Sequence, residues 1–219
     1  MSRHLEIDKH YGKYYRIRYP FDPARKGVWK AICEYLQRYV PPASAILELG
    51  SGYCDFINQI GAATKYALDI NPNGAECCAP GVTFFHADAG SIPLPDQSVD
   101  VVFASNFLEH FTDEQFKVVI AEMNRVLRTG GTAIFVQPNY YYCHRCYWDD
   151  FMHVKPYSHV SLPDLLMCYD YAITRVEKRF LPFSFKSRLP RSYLLTKLYL
   201  ALPWRPLAAQ MLVVAQKEG

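Results

Sequence analysis

The chain has 219 residues, 50% of them hydrophobic, with 17 Tyr, 13 Phe and a net charge of +3. That length suffices for one α/β domain with a sizeable core, and so apolar a composition excludes a disordered chain. No apolar run is long enough to span a bilayer, no N-terminal stretch has the apolar core of a signal peptide, and the odd set of seven cysteines fits reduced thiols, so a cytoplasmic location is expected.

Lys and Arg concentrate in residues 1–32 and 175–219, whereas acids dominate 33–174. Two readings fit: a basic cap that attracts a phosphate- or carboxylate-bearing substrate, or solvated charge on surface helices. Residues 24–39 place Val28, Ile32, Tyr35, Leu36 and Tyr39 at helical spacing, and Pro41-Pro42 stops that helix. Strands are then expected at 45–49, 66–70, 82–86, 99–104 and 132–137, with helices at 53–61 and 113–127. The second helix puts Phe116, Val119, Ile120, Met123 and Leu127 on one face. Thr112-Asp113-Glu114-Gln115 gives it a capping signal, and Gly130-Gly131 a stop. Strand–helix alternation means a parallel sheet, and two late strands, 175–181 and 210–216, complete seven. Between strands five and six lies an insertion, 139–162, rich in Tyr, His and acid. Ligands bind at the carboxyl ends of parallel strands, so this insertion is the expected substrate wall. Residues 193–202 form an apolar helix between Pro190 and Pro203, with Arg188, Arg191, Lys197 and Arg205 around it. Peripheral membrane contact, packing on the sheet and a dimer interface all fit that pattern.

The run Ile46-Leu47-Glu48-Leu49-Gly50-Ser51-Gly52 is the strongest chemical signal. An apolar strand ends in an acid, and a Gly-x-Gly turn follows, which brings bare backbone close to a cofactor. Some 20 residues on, Ala67-Leu68-Asp69-Ile70 ends a second strand in an acid, the spacing of a carboxylate that grips ribose hydroxyls. The acidic register, with Asp55 after the turn, would repel a pyrophosphate. It suits a sulfonium and an ammonium, so S-adenosylmethionine is favoured over NAD.

The motifs ILELGSGYCDF, ALDINP, HADAGSIPLPDQSVDVVFASNFLEHF and MNRVLRTGGTAIFVQPN together resemble the class I S-adenosylmethionine-dependent methyltransferases, in particular small enzymes of bacterial polysaccharide and secondary-metabolite pathways. The family's turn often has a third glycine where Cys54 stands. The resemblance implies a Rossmann-like, seven-stranded, mostly parallel sheet with flanking helices and an antiparallel last strand. It implies a single domain over 1–219, with an N-terminal helical cap (1–44), a cofactor-binding half (45–138), and a substrate wall with the C-terminal strands (139–219). It places Glu48 at the cofactor's amino-acid end and Asp69 at its ribose, with Gly50, Ser51, Gly52 and Ile70 also among the cofactor-binding residues. Asp88 and Ala89 fall at adenine, and Asn106, Phe107 and Leu108 near methionine and adenosine.

The expected reaction is methyl transfer to a hydroxyl of a small molecule or sugar conjugate, with anionic and lipid-linked acceptors included. RNA methylation is the second reading, disfavoured because no RNA-binding module is visible and the core is acidic. A non-catalytic cofactor-binding regulator or scaffold is the third. A homo-oligomer is compatible with all three. A neutral hydroxyl needs a base, and His153 and His159 lie in the insertion near Asp149 and Asp150, so they are the catalytic candidates. Cys143-His144-Arg145-Cys146 lacks a second ligand pair for zinc, so no metal is expected. The aromatic run Tyr140–Tyr142 with Tyr147 and Trp148 fits acceptor stacking and plain packing equally.

Overall fold

A computed structural model describes residues 13–14, 17–18, 20–182 and 191–219. Seven strands form one sheet in the order β3-β2-β1-β4-β5-β7-β6. They are β1 (Ala45–Leu49), β2 (Thr64–Asp69), β3 (Val82–His86), β4 (Val99–Ser105), β5 (Leu127–Pro138), β6 (Tyr171–Glu177) and β7 (Gln210–Lys217). β1 to β5 pair in parallel, and β7 runs antiparallel to both of its neighbours, β5 and β6. This is the expected Rossmann-like sheet with its antiparallel last strand.

The helices are α1 (Arg25–Leu36), α2 (Asp113–Val126), α3 (Tyr140–Cys143), α4 (Ser161–Met167) and α5 (Tyr193–Ala201). Strand side chains alternate between two faces, and both faces are buried. Leu47, Leu49, Val102, Phe135 and Val213 pack under Phe116, Ile120 and Met123 of α2. Ile46, Val101, Phe103, Ile134 and Val214 pack under Trp29, Ile32 and Leu36 of α1. α2 starts where its sequence says: Thr112 and Gln115 form a capping box.

Four expectations need correction. Residues 53–61 form consecutive turns rather than a regular helix, because Gly52 and Cys54 both take positive φ, 52° and 56°, which a right-handed helix forbids. β2 begins at Thr64, before the apolar residues that signalled it. Gly130-Gly131 is not the stop of α2: the helix ends at Val126, and β5 runs through both glycines. β6 lies four residues earlier than expected. Phe180 and Leu181 misled because they are buried beyond the strand, where the Phe180 N–H still donates to the Gln210 carbonyl at 2.7 Å. No helix among the described residues is long and apolar enough to cross a membrane.

Candidate active site

The carboxyl ends of β1, β2 and β4 lie side by side, with Glu48 opposite Ala67 and Phe103. After β1 the chain reverses over Gly50 at φ 67° and Gly52. A Cβ on Gly50 would sit 2.7 Å from the Phe107 ring, so only glycine fits there. The N–H groups of Gly50 and Ser51 donate to the Leu68 carbonyl at 2.9 and 3.2 Å, which ties the turn to β2. The buried Asp69 carboxylate accepts from Gly52 N at 2.7 Å and Asn71 N at 2.8 Å. Burial raises the Asp69 carboxyl, and those two donors pull it back in part. Glu48, also buried, accepts from Ile57 N at 3.1 Å, and burial lifts its carboxyl well above the usual carboxylate range. Asp55 pairs with Arg25 at 2.8 Å.

The other expected cofactor residues follow the same edge. Asp88 accepts from Gly90 N at 2.7 Å, and Ala89 is buried beside it. The Ile70 carbonyl faces His86 Nε2 at 3.0 Å. Asn106 takes φ 47°, and its side-chain oxygen accepts from Gln210 Nε2 at 2.7 Å. Phe107 meets Phe111 edge-on at 4.8 Å, and Leu108 is fully buried. The donor set is thus acidic carboxylates around bare backbone. Its carboxyl oxygens and backbone offer acceptors to ribose hydroxyls and to an ammonium group.

The two candidate histidines are not brought together. His153 is buried, with Nδ1 2.7 Å from the Tyr147 carbonyl and Nε2 4.0 Å from Asp150 Oδ2. Burial and the neighbouring His110 hold its imidazole below its ordinary value. His110 is lowered too, because burial outweighs the Met152 and Asn106 carbonyls and Asp150. His159 lies elsewhere in the insertion, stacked on Tyr142 at 6.0 Å with Nδ1 3.1 Å from the Asn139 side-chain nitrogen. Asp150 accepts from the Tyr14 hydroxyl at 2.7 Å and from Arg18 Nε at 3.1 Å. The Cys143 thiol donates to the Asn139 carbonyl at 3.2 Å. In the aromatic run Tyr147 is fully buried against Tyr140 at 5.2 Å, while Tyr141 and Trp148 are exposed.

A cavity of about 380 Å³ opens between α1, α5 and the sheet, walled by Trp29, Ile32, Leu195 and Tyr199 and floored by Ser105 and Asn106. Among its described lining residues none comes from the 139–162 insertion. Its sequence signal was the apolar character of 193–202, but that pattern alone does not say which element the helix faces.

Residues 47–135 match the family model described as "Methyltransferase domain". The chain is similar to the probable phthiotriol/phenolphthiotriol dimycocerosates methyltransferase 2 of Mycobacterium ulcerans, 37% identical over 87 residues that cover 37% of this chain and 33% of that protein. It is similar to a fatty-acid O-methyltransferase of Mycolicibacterium smegmatis, 30% identical over 106 residues, 43% of this chain and 38% of that one. It spans about a third of the length of the curated relatives it matches. In fold it is similar to the crystal structure of an S-adenosylmethionine-dependent methyltransferase from Archaeoglobus fulgidus, with TM-score 0.69 and 18% identity over 95% of this chain and 100% of that one. The glycine turn, the acids at the ends of β1 and β2 and after β3, and the Asn106–Leu108 loop all fall in the matched segment, so residues 47–135 are similar to a methyltransferase domain and the sheet shares the fold of the Archaeoglobus enzyme.

Proposed function

We propose that the chain transfers the methyl group of S-adenosylmethionine to a hydroxyl of an apolar, lipid-like acceptor whose hydrocarbon part lies in the cavity between α1 and α5. The observation that carries this reading is the cavity itself. Its walls are apolar and its floor, Ser105-Asn106, continues directly into Phe107 against the glycine turn. The name of the fatty-acid O-methyltransferase relative supports the same acceptor class. Arg191, which lines the cavity and pairs with Asp22, gives an anionic head group a cationic neighbour. Arg188, named above beside this helix, lies outside the described residues.

When bound, the cofactor supplies an electrophilic methyl group. The chain's part is to hold both partners: Asp69 and Ile70 at the ribose, Glu48 and the Gly50–Gly52 turn at the amino-acid end, Asp88 and Ala89 at adenine, Asn106–Leu108 beneath the reacting centre. Positioning of that kind is worth ~7–11 kcal/mol. Removal of the hydroxyl proton adds about 10²–10⁴-fold; His153 and His159 do not line this cavity, so a base role for either requires the acceptor's hydroxyl to reach past it to the insertion.

The test is methyl-labelled cofactor offered with long-chain fatty acids and hydroxylated lipids, beside sugars and RNA. Label is expected in the lipid fraction. Thr196→Trp, which fills the cavity from α5, should raise KM for the acceptor about tenfold or more and leave S-adenosylhomocysteine affinity unchanged. Label in RNA alone would overturn the reading in favour of RNA methylation. Tight cofactor binding with no labelled product would favour a binding-only protein.

A further inference from the structure

Glu109 is the least expected side chain in the molecule. It sits on the single turn Leu108–His110 after β4 and is 1% exposed. Neither carboxyl oxygen has a hydrogen-bond partner. A buried carboxylate left bare costs several kcal/mol, so such a group is either protonated or facing a cation.

Its neighbours point to the cation. Ligating atoms of Glu109, His110 and His153 all lie within 4.8 Å of one another. Atoms bound to one tetrahedral cation at about 2.1 Å are ~3.4 Å apart, so small side-chain rotations close the set. Each imidazole sets one ring nitrogen against a backbone oxygen. His110 Nδ1 lies 3.0 Å from the Met152 carbonyl, and His153 Nδ1 lies 2.7 Å from the Tyr147 carbonyl. A backbone oxygen against Nδ1 is the arrangement that orients metal-binding histidines. The backbone clamps the pieces together, because the N–H groups of Val154 and Lys155 donate to the Glu109 carbonyl at 2.8 and 3.1 Å. Asp150, held by Tyr14 and Arg18, adds negative potential 4.0 Å from His153 Nε2.

We propose that Glu109, His110 and His153 form a binding site for a divalent first-row cation of the zinc type. Two imidazole nitrogens and one carboxylate suit such a borderline ion, whereas magnesium and calcium favour oxygen ligands throughout. The cysteines of Cys143-His144-Arg145-Cys146 take no part in the site. The proposal does not rest on the acceptor reading above.

The experiment strips the full chain with chelator and titrates it with Co²⁺ and Zn²⁺. Binding of about one ion per chain is expected, with d–d bands in the Co²⁺ spectrum and no thiolate charge transfer. Glu109→Gln and His153→Gln should each weaken the ion about tenfold or more, while Cys143→Ser with Cys146→Ser should not. S-adenosylhomocysteine affinity, read in parallel, checks that each variant still carries a formed cofactor half. Absence of saturable binding by the parent chain would overturn the site, and so would affinity unmoved by both Glu109→Gln and His153→Gln. A thiolate band in the Co²⁺ spectrum would overturn it without any variant, because it would place the ion on cysteine.

Discussion

Cys54 stands at φ 56°, in a region that costs most side chains about 1 kcal/mol or more and that glycine visits freely. The conformation is held because its buried thiol is enclosed, 3.5 Å from the Gly74 carbonyl and 3.1 Å from the Cys78 sulfur. The third glycine of the family pattern has been replaced in kind of residue but not in backbone geometry. Asp69 shows how much of a site a single residue can carry. Its carboxylate already fixes Gly52 and Asn71, so it shapes the turn in addition to the ribose contact proposed for it. Asp69→Ala should weaken S-adenosylmethionine by ~1.5–3 kcal/mol, measured by calorimetric titration. Unchanged affinity would sink the ribose assignment. Residues of this kind were legible in the sequence because turn, acid and spacing are local. Glu109 was not, since its isolation depends on a loop some 40 residues later folding back over it.

Elements were legible where local pattern and tertiary burial agree. β1, β3 and α2 fall where periodicity and capping put them, whereas 53–61 fails as a regular helix, with Cys54 at positive φ in its first turn. No sequence rule announces how β6, α1 and α5 are joined. Arg205, itself buried, donates to Glu177 at the end of β6 at 2.6 Å, to the Leu200 carbonyl of α5 at 2.8 Å and to the Tyr35 hydroxyl of α1 at 3.2 Å. The Tyr35 hydroxyl in turn donates to Glu177 at 2.6 Å. Burial pushes the Glu177 carboxyl up, but these two partners hold it below its ordinary value on balance. Arg205→Met should cost about 3–5 kcal/mol in urea unfolding, because it strands a buried carboxylate. The acid side carries a second signature. A depressed folded-state pKa gives stability that is present above the unfolded value and lost as pH falls through the folded one. Glu177→Gln should therefore flatten the loss of thermal stability on the acid side that the parent chain shows. An unchanged acid limb would mean that other carboxylates set it.

At the scale of the whole molecule, a parallel sheet flanked by helices follows from strand–helix alternation and was readable in advance, whereas the order of its strands was not. The cavity was not, because it needs α1, α5 and the end of β4, which lie far apart in sequence, to meet at one edge. The same non-local build has a temporal side. β7 lies between β5 and β6, and β6 has β7 as its sheet partner. During synthesis β6 therefore emerges from the ribosome before the strand it pairs with, and the edge of β5 from Thr132 to Pro138 stays open until β7 follows. An open, apolar strand edge is a template for the wrong neighbour. Nascent chains stalled before Gln210 should remain protease-sensitive from β5 onward, and chains stalled after Lys217 has cleared the exit tunnel should become resistant there. Equal resistance at both stall points would mean that β5 and β6 find shelter without β7. In the expected case the insertion of one late strand makes this half of the protein dependent on chaperone cover until its final pairing is complete.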